Sequence, residues 1–465
     1  MRAGAVAAAL PGLRTLLAHS TATHTGVLTL EQSLSILGPL VPDPAGILDL
    51  PPGFAYNVIS RTGDVMDDGF LVPAQPDGMA AFPGPAGKVI LIRNHEITNE
   101  PRHASAFEGR DDLRKKFLDG PIYDKGSATP PKGGTTTVVY SLRERAVDRQ
   151  FLSLAGTTYN CAGGPTPWGT WLSCEEFVAS AGGKFKRPHG YVFEVPATSV
   201  IGRVNPVPLV EMGRFKHEAV AVNPSSGCIY QTEDLEDGAI YRFTPGFAGP
   251  LRAGDLARGG RLQALRIIGR DSLDTRNWDA ATVKPGEAMR IAWVDLDDVD
   301  NPDDRLRYRA FDKGAARFAR GEGMWWGQSA GRGCVYFACT TGGEKRAGQI
   351  WKLTPSRGEG RLALREEAPV ATLELFIEPD DTSVLENADN ITFAPWGDLV
   401  VCEDGPGDQF LLGVTPKGQV YKLARNARSE GEFAGATFSP DGTSLFVNMQ
   451  VDGMTLAVTG PWPRA

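Results

Sequence analysis

Six stretches of this chain repeat one pattern: an apolar run, a turn built mostly on Pro and Gly, and a second apolar run ending in polar residues. The clearest is ADNITFAPWGDLVVCEDG (388–405), and HEAVAVNPSSGCIYQTED (217–234), NCAGGPTPWGTWLSCEE (160–176) and FAGATFSPDGTSLFVNMQ (433–450) match it closely. PDGMAAFPGPAGKVILIRNHE (76–96) and GEGMWWGQSAGRGCVYFACTT (321–341) are looser copies. Each reads as a β-hairpin. A second motif, Gly followed by alternation around an aromatic, comes after most of them: GYVFEVP (190–196), GAIYRFTP (238–245), GQIWKLTP (348–355) and GQVYKLA (418–424), with TTTVVYSL (135–142) a fifth version. A hairpin plus a third strand, recurring in one order, predicts an all-β fold, a six-bladed β-propeller with loop insertions on one face.

Length and composition agree. A chain of 465 residues exceeds one ordinary compact core unless its architecture is repetitive, and 55 Gly with 34 Pro beside 42% hydrophobic residues suits many short strands joined by tight turns. The expected organisation is an N-terminal segment over 1–50 and a single propeller domain over 51–465. Its long insertions, 97–134 and roughly 246–320, are expected as lids or edges on one face. PPGFAYNVISRTG (51–63) is expected to supply a strand that closes the ring with the C-terminal blade.

Several function classes drop out. A net charge of −8 with no Lys/Arg block argues against a nucleic-acid partner, and no apolar run approaches the 18 residues of a membrane-spanning helix. The six cysteines form no CxxC, so neither a disulfide framework nor four-thiolate zinc is expected. Five lie inside apolar runs and read as buried small hydrophobes; Cys161 does not. MRAGAVAAALPGLRTLLAHSTA at the start resembles a degenerate export leader, interrupted by Pro11 and Arg14.

The repeat also aligns polar residues. Six residues before the turn Pro stand Asp77, Cys161, Glu218, Asp389 and Ala434, with Glu322 in the same place where the Pro is missing. Six residues after the turn Gly stand Glu175, Glu233, Glu403 and Asn448, with Arg93 and Cys339 in the looser copies. In an antiparallel hairpin these two positions lie at one end, so a ring of blades points them at a central channel. Glu96, Glu176, Asp234 and Asp404 are adjacent. Any one of these acids alone reads as a solvated strand end, but unrelated surface acids do not hold one offset from a turn. So many anions without cations to match imply bound multivalent ions. Carboxylates suit Ca²⁺, whereas a thiolate suits a softer or transition metal, which suggests an iron-like ion at Cys161 and calcium elsewhere. His95 and His217 stand between ligand or substrate contact and an ordinary structural role. Trp168, Trp325, Trp326 and Trp396 read as packing between blades.

RNHE (93–96), YNCAGGPTPWGTWLSCEE (159–176), KHEAVAV (216–222), GEGMWWG (321–327), DNITFAPWGDLVVCEDG (389–405) and FSPDGTSLFVNMQ (438–450) together resemble the PhoX-type alkaline phosphatases, over roughly residues 50–450. The resemblance implies a six-bladed propeller holding Fe³⁺ and Ca²⁺, with Cys161 as an iron ligand. The candidate metal ligands are Asp77, Glu96, Cys161, Glu175, Glu218, Glu233, Glu322, Asp389 and Glu403. It implies hydrolysis of small phosphate esters, with Arg93, His95, Lys216 and His217 placed to contact phosphate or protonate the leaving group. It also implies a periplasmic or secreted protein, although the twin-arginine leader of that family is missing here and a cytoplasmic location stays open; a monomer is expected. The non-acidic positions in the fourth and sixth hairpins depart from a fully acidic ring. Two other readings remain: a calcium-dependent lactonase or esterase propeller, whose sites are all oxygen, and a non-catalytic propeller stabilised by calcium whose face binds a protein or glycan.

Overall fold

The computed structural model describes residues 37–246, 251–359 and 370–463. The export-leader stretch lies outside these, as do residues 247–250 of the second insertion. Two leading strands, β1 (Leu48–Asp49) and β2 (Ala55–Arg61), precede β3 (Pro76–Pro83), β4 (Lys88–His95), β5 (Gly133–Ser141) and β6 (Ala146–Thr157). A shorter set follows: β7 (Asn160–Pro165), β8 (Thr170–Glu175) and β9 (Val192–Pro196). Next come β10 (His217–Val222), β11 (Ile229–Glu233), β12 (Ile240–Pro245), β13 (Gly260–Ile267) and β14 (Ala288–Asp295), then β15 (Gly321–Ser329), β16 (Arg332–Cys339), β17 (Gln349–Thr354) and β18 (Thr372–Ile377). The chain ends in β19 (Ala388–Phe393), β20 (Leu399–Glu403), β21 (Phe410–Val414) and β22 (Val420–Asn426), followed by β23 (Phe433–Phe438), β24 (Ser444–Met449) and β25 (Met454–Thr459).

All six expected hairpins form, as β3–β4, β7–β8, β10–β11, β15–β16, β19–β20 and β23–β24. Their first strands neighbour one another in chain order, and β23 returns to touch β3, which makes the fold propeller-like. Among the described residues the sheets number five, however. β14, from the second insertion, pairs with both β13 and β18 and joins two repeats into one nine-stranded sheet. β14 of that insertion is therefore an interior sheet strand rather than a lid or an edge, because this alternating apolar strand found two open sheet edges to pair with. GQVYKLA also moves outward by one strand: β21 takes the third place and β22 the fourth. The expected closure occurs, with Ala55 opposite Thr459 and Arg61 opposite Met454, so β2 completes the C-terminal sheet.

The core lies between neighbouring sheets. Leu172, Cys174 and Val192 from one sheet pack with Val220, Tyr241 and Phe243 of the next, all nearly inaccessible. Trp325 packs against two such layers, and Trp396 stacks on Trp462 with ring centroids 5.6 Å apart, as inter-blade packing predicts. All six cysteines are free and buried. Among the described residues no helix is long and apolar enough to cross a membrane.

Candidate metal centre

Five of the six first strands break their ladder at the same place, and β23 breaks one pair later, after Ala434. Pro76 pairs with His95, Asn160 with Glu175, His217 with Glu233, Gly321 with Cys339 and Ala388 with Glu403, and immediately after each pair the register shifts. A bulge re-aims the residue it frees. The freed residues are Asp77, Cys161, Glu218, Glu322 and Asp389, and all five line one cavity of about 630 Å³. Small residues at the bulges let the inner strands touch. A Cβ on Gly78 would sit 2.5 Å from Ala162 Cα, and one on Gly323 would sit 2.5 Å from the Asp389 carbonyl oxygen.

On the return strands, parity decides which acid reaches the cavity. Glu175, Glu233 and Glu403 pair with the residue before the bulge, and successive side chains on a strand point to opposite faces. Glu176, Asp234 and Asp404, one residue later, line the cavity together with Glu96. This corrects the expectation for Glu175, Glu233 and Glu403, which hold protein groups instead. Glu175 accepts hydrogen bonds from Thr158 N (3.0 Å) and Gly190 N (2.9 Å) and lies 2.6 Å from His189 Nδ1. Glu233 accepts from Ala239 N and the Tyr241 hydroxyl, and Glu403 from Glu386 N. Burial pushes Glu233 up to about 7 and Glu403 up to about 8.

Three of the four basic residues expected to meet phosphate are internal. Arg93 donates to Thr136 and Thr455, His95 bonds the Ala74 carbonyl and Thr136, and His217 bonds the Gly213 carbonyl and stacks on Phe215. None of the three lines the cavity. They sit on strand faces turned into the sheets, where burial lowers His95 far below its usual range and His217 to about 3. Lys216 does line the cavity, with Nζ 2.8 Å from Glu176 and 3.7 Å from Asp234.

Other lining residues had not been singled out. Arg320 holds Asp234 and Glu322, each at 2.7 Å. Gln450 Nε2 donates to Asp77 at 2.8 Å and Glu96 at 2.6 Å. Glu432 answers the gap at Ala434, since it enters the cavity from just ahead of β23. An acid directly preceding an apolar strand was its only sequence signal. Tyr159, Arg102 and His103 complete the donors named here.

The donor set fits metal. Ligand atoms of Cys161, Glu176 and Glu218 lie within 4.8 Å of one another, as do those of Glu218, Glu322 and Asp389, and those of Asp389, Asp404 and Glu432. The three triads share Glu218 and Asp389 and so form one continuous chain of sites. Nine carboxylates line the cavity against three Lys or Arg side chains. Asp77 Oδ1 is buried and accepts no hydrogen bond among the described residues. Burial, with repulsion from neighbouring carboxylates, raises Glu176, Glu218 and Glu322 well above the usual carboxylate range, and raises Asp77 to about 7. Asp234 is the exception: burial pushes it up, but Arg320 and Lys216 outweigh that and hold it low. Such mutual repulsion is what a multivalent cation relieves. The first triad includes the only sulfur, and the other two are all oxygen.

No curated protein sequence matches the chain. Among solved structures, PhoX of Pseudomonas fluorescens in complex with vanadate, a transition state analogue, superimposes with a TM-score of 0.65 at 19% identity, covering 91% of this chain and 97% of that one. XC5397 from Xanthomonas campestris, a gluconolactonase, has a TM-score of 0.39 at 11% identity, covering 92% and 98%. The family model for alkaline phosphatase PhoX matches residues 36–141 and 129–453, which takes in every lining residue described above. The chain belongs to the PhoX alkaline phosphatase family, enzymes that hydrolyse phosphate monoesters.

Proposed function

We propose that this chain hydrolyses phosphate monoesters at a mixed centre of ferric iron and calcium held in the cavity. The observation that carries this is the chain of three triads, with the single thiol in the first and only carboxylates in the others. Cys161, Glu176 and Glu218 would hold iron, and the two oxygen triads would hold calcium, which favours many hard oxygen ligands. When bound, such ions supply Lewis-acid stabilisation of the phosphoryl oxygens and activation of an oxygen nucleophile.

The chain's own residues do the rest. Lys216 and Arg320 stay cationic, because neighbouring carboxylates outweigh burial and raise both above their ordinary values. They are the two cations among the carboxylates that can receive phosphoryl oxygens. Glu96 and then burial hold the Tyr159 phenol protonated, as a neutral donor on the same wall. The Pseudomonas fluorescens protein binds vanadate, and a cavity of about 630 Å³ admits a tetrahedral oxyanion with part of its ester. We also read the ring as six blades fused by β14 into five sheets, forming a single domain from residue 51 on. Export is proposed on the family resemblance. A lactonase centre is disfavoured by the thiol in the first triad.

The test is Cys161→Ala. Purified wild type is expected to contain iron and calcium, to absorb visible light through ferric–thiolate ligation, and to cleave p-nitrophenyl phosphate. The variant should lose the band, the iron and the activity. Unchanged iron content with unchanged turnover would refute the assignment.

A further inference from the structure

One wall of the cavity mouth differs from the rest. Lys216 and Arg320 are each held by two carboxylates of the centre. Arg102 and His103 come instead from the insertion between β4 and β5, and neither is paired with a carboxylate of the centre. Arg102 meets only Glu100 among the described residues, at 2.8 Å, with its side chain 75% exposed. An exposed pair of this kind is weak and readily exchanged for another anion.

The loop that carries them is firmly built. His103 N donates to the Glu100 carbonyl at 3.2 Å, and Lys132 Nζ donates to the carbonyls of Glu100 at 3.2 Å and His103 at 2.8 Å. Ala74 N ties the next residue down by donating to the Ala104 carbonyl at 3.0 Å. The His103 ring is oriented as well, since its Nδ1 accepts from Thr98 N at 3.1 Å. The neutral imidazole therefore carries its proton on Nε2, and that N–H has no partner among the described residues. His103 is only 7% exposed and lines the cavity, so the free N–H belongs to a buried ring beside the reaction space. Burial and the adjacent Arg102 lower its pKa, which keeps it a neutral donor.

We infer that Arg102 and His103 form the leaving-group subsite, and that it selects phosphate esters whose alcohol part carries a second anionic group. The inference rests on the phosphatase reading. A carboxylate-lined cavity repels an anionic leaving group everywhere except where a cation lies free of the centre, and Arg102 is that cation. Its planar fork matches a carboxylate or a second phosphate, and His103 Nε2–H adds one directed hydrogen bond.

The experiment compares kcat/KM for 3-phosphoglycerate and glycerol 3-phosphate on the metal-loaded enzyme, two esters that differ by a carboxylate against a hydroxymethyl group. Wild type is expected to favour 3-phosphoglycerate. Arg102→Ala should reduce that preference about tenfold, the size of one charge-assisted hydrogen bond. Arg102→Lys should retain part of it, and Glu100→Gln, which frees Arg102, should increase it. His103→Ala should raise KM for both esters with metal content unchanged. If wild type cleaves both esters but Arg102→Ala leaves their ratio within twofold, the subsite is refuted. An unchanged KM in His103→Ala removes His103 from it. If wild type cleaves neither ester nor p-nitrophenyl phosphate, the phosphatase reading itself fails.

Discussion

His189 is the residue whose replacement tests the electrostatic reasoning most directly, because it lies in the wall and outside the cavity. The ring is fully buried, with Nδ1 2.6 Å from Glu175 and Nε2 3.3 Å from Asp124. Burial alone would push its pKa down, but the two carboxylates outweigh burial and raise it to about 9. The distance from an ordinary 6.5 to about 9 corresponds to about 3 kcal/mol. A raised folded-state value means this stabilisation is complete below pH 6.5 and is lost as pH rises through 9. His189→Gln should therefore cost about 3 kcal/mol at pH 6, within the range for leaving buried charges unpaired. At pH 9.5 the difference from wild type should shrink below about 1 kcal/mol, because wild type has then lost the same proton. Urea denaturation of the metal-loaded protein at the two pH values measures this. A deficit equal at both values, or none at pH 6, would show that His189 is not a buried cation. The same variant should weaken metal retention, since Glu175 also receives Thr158 N next to Tyr159 and precedes Glu176.

Three further outcomes follow from the geometry. Glu176→Ala should lower bound metal while leaving the protein folded, whereas Glu175→Ala should first lower the melting temperature; metal analysis beside a thermal melt separates the two, and equal behaviour would contradict the strand parity. Gly323→Ala should cost about 1–3 kcal/mol by overpacking, because its Cβ meets backbone 2.5 Å away and has no flexible side chain to displace. A chain beginning at residue 62 lacks the seven residues of β2, leaves β25 an open edge, and should melt about 10 °C lower or aggregate; an unchanged melt would show that β2 is dispensable.

The repeat was legible because it is local. Each hairpin declares itself through a turn and two apolar runs, and six copies in one order leave few folds open. β14 was not legible in the same way. Nothing in AMRIAWVD (288–295) says that it will pair with two strands far from it in sequence, since that pairing depends on which sheet edges lie near. His103 was missed for a related reason. His95 and His217 stand inside motifs and drew attention, yet their strand faces turn them into the sheets. His103 lies in an insertion without periodicity, and a loop reaching over the cavity brings it in.

The error over Glu175, Glu233 and Glu403 explains how the centre is built. Counting from the turn finds the end of each hairpin correctly, but a count has no sense of side, and a shift of one residue exchanges cavity for interior. Nature uses both members of the pair. The inner acid of each pair anchors loop backbone, through Gly190 N at Glu175, Ala239 N at Glu233 and Glu386 N at Glu403. The outer acid, carried on that anchored corner, faces the cavity. A carboxylate is a good anchor because it can accept several N–H bonds, and a rigid corner is what a metal site requires of its ligands. The doubled acids of CEE, TED and CED are therefore one device repeated three times. Cys161 stands opposite the first of them, at the bulge where a thiol and a glutamate from the two strands of one hairpin meet.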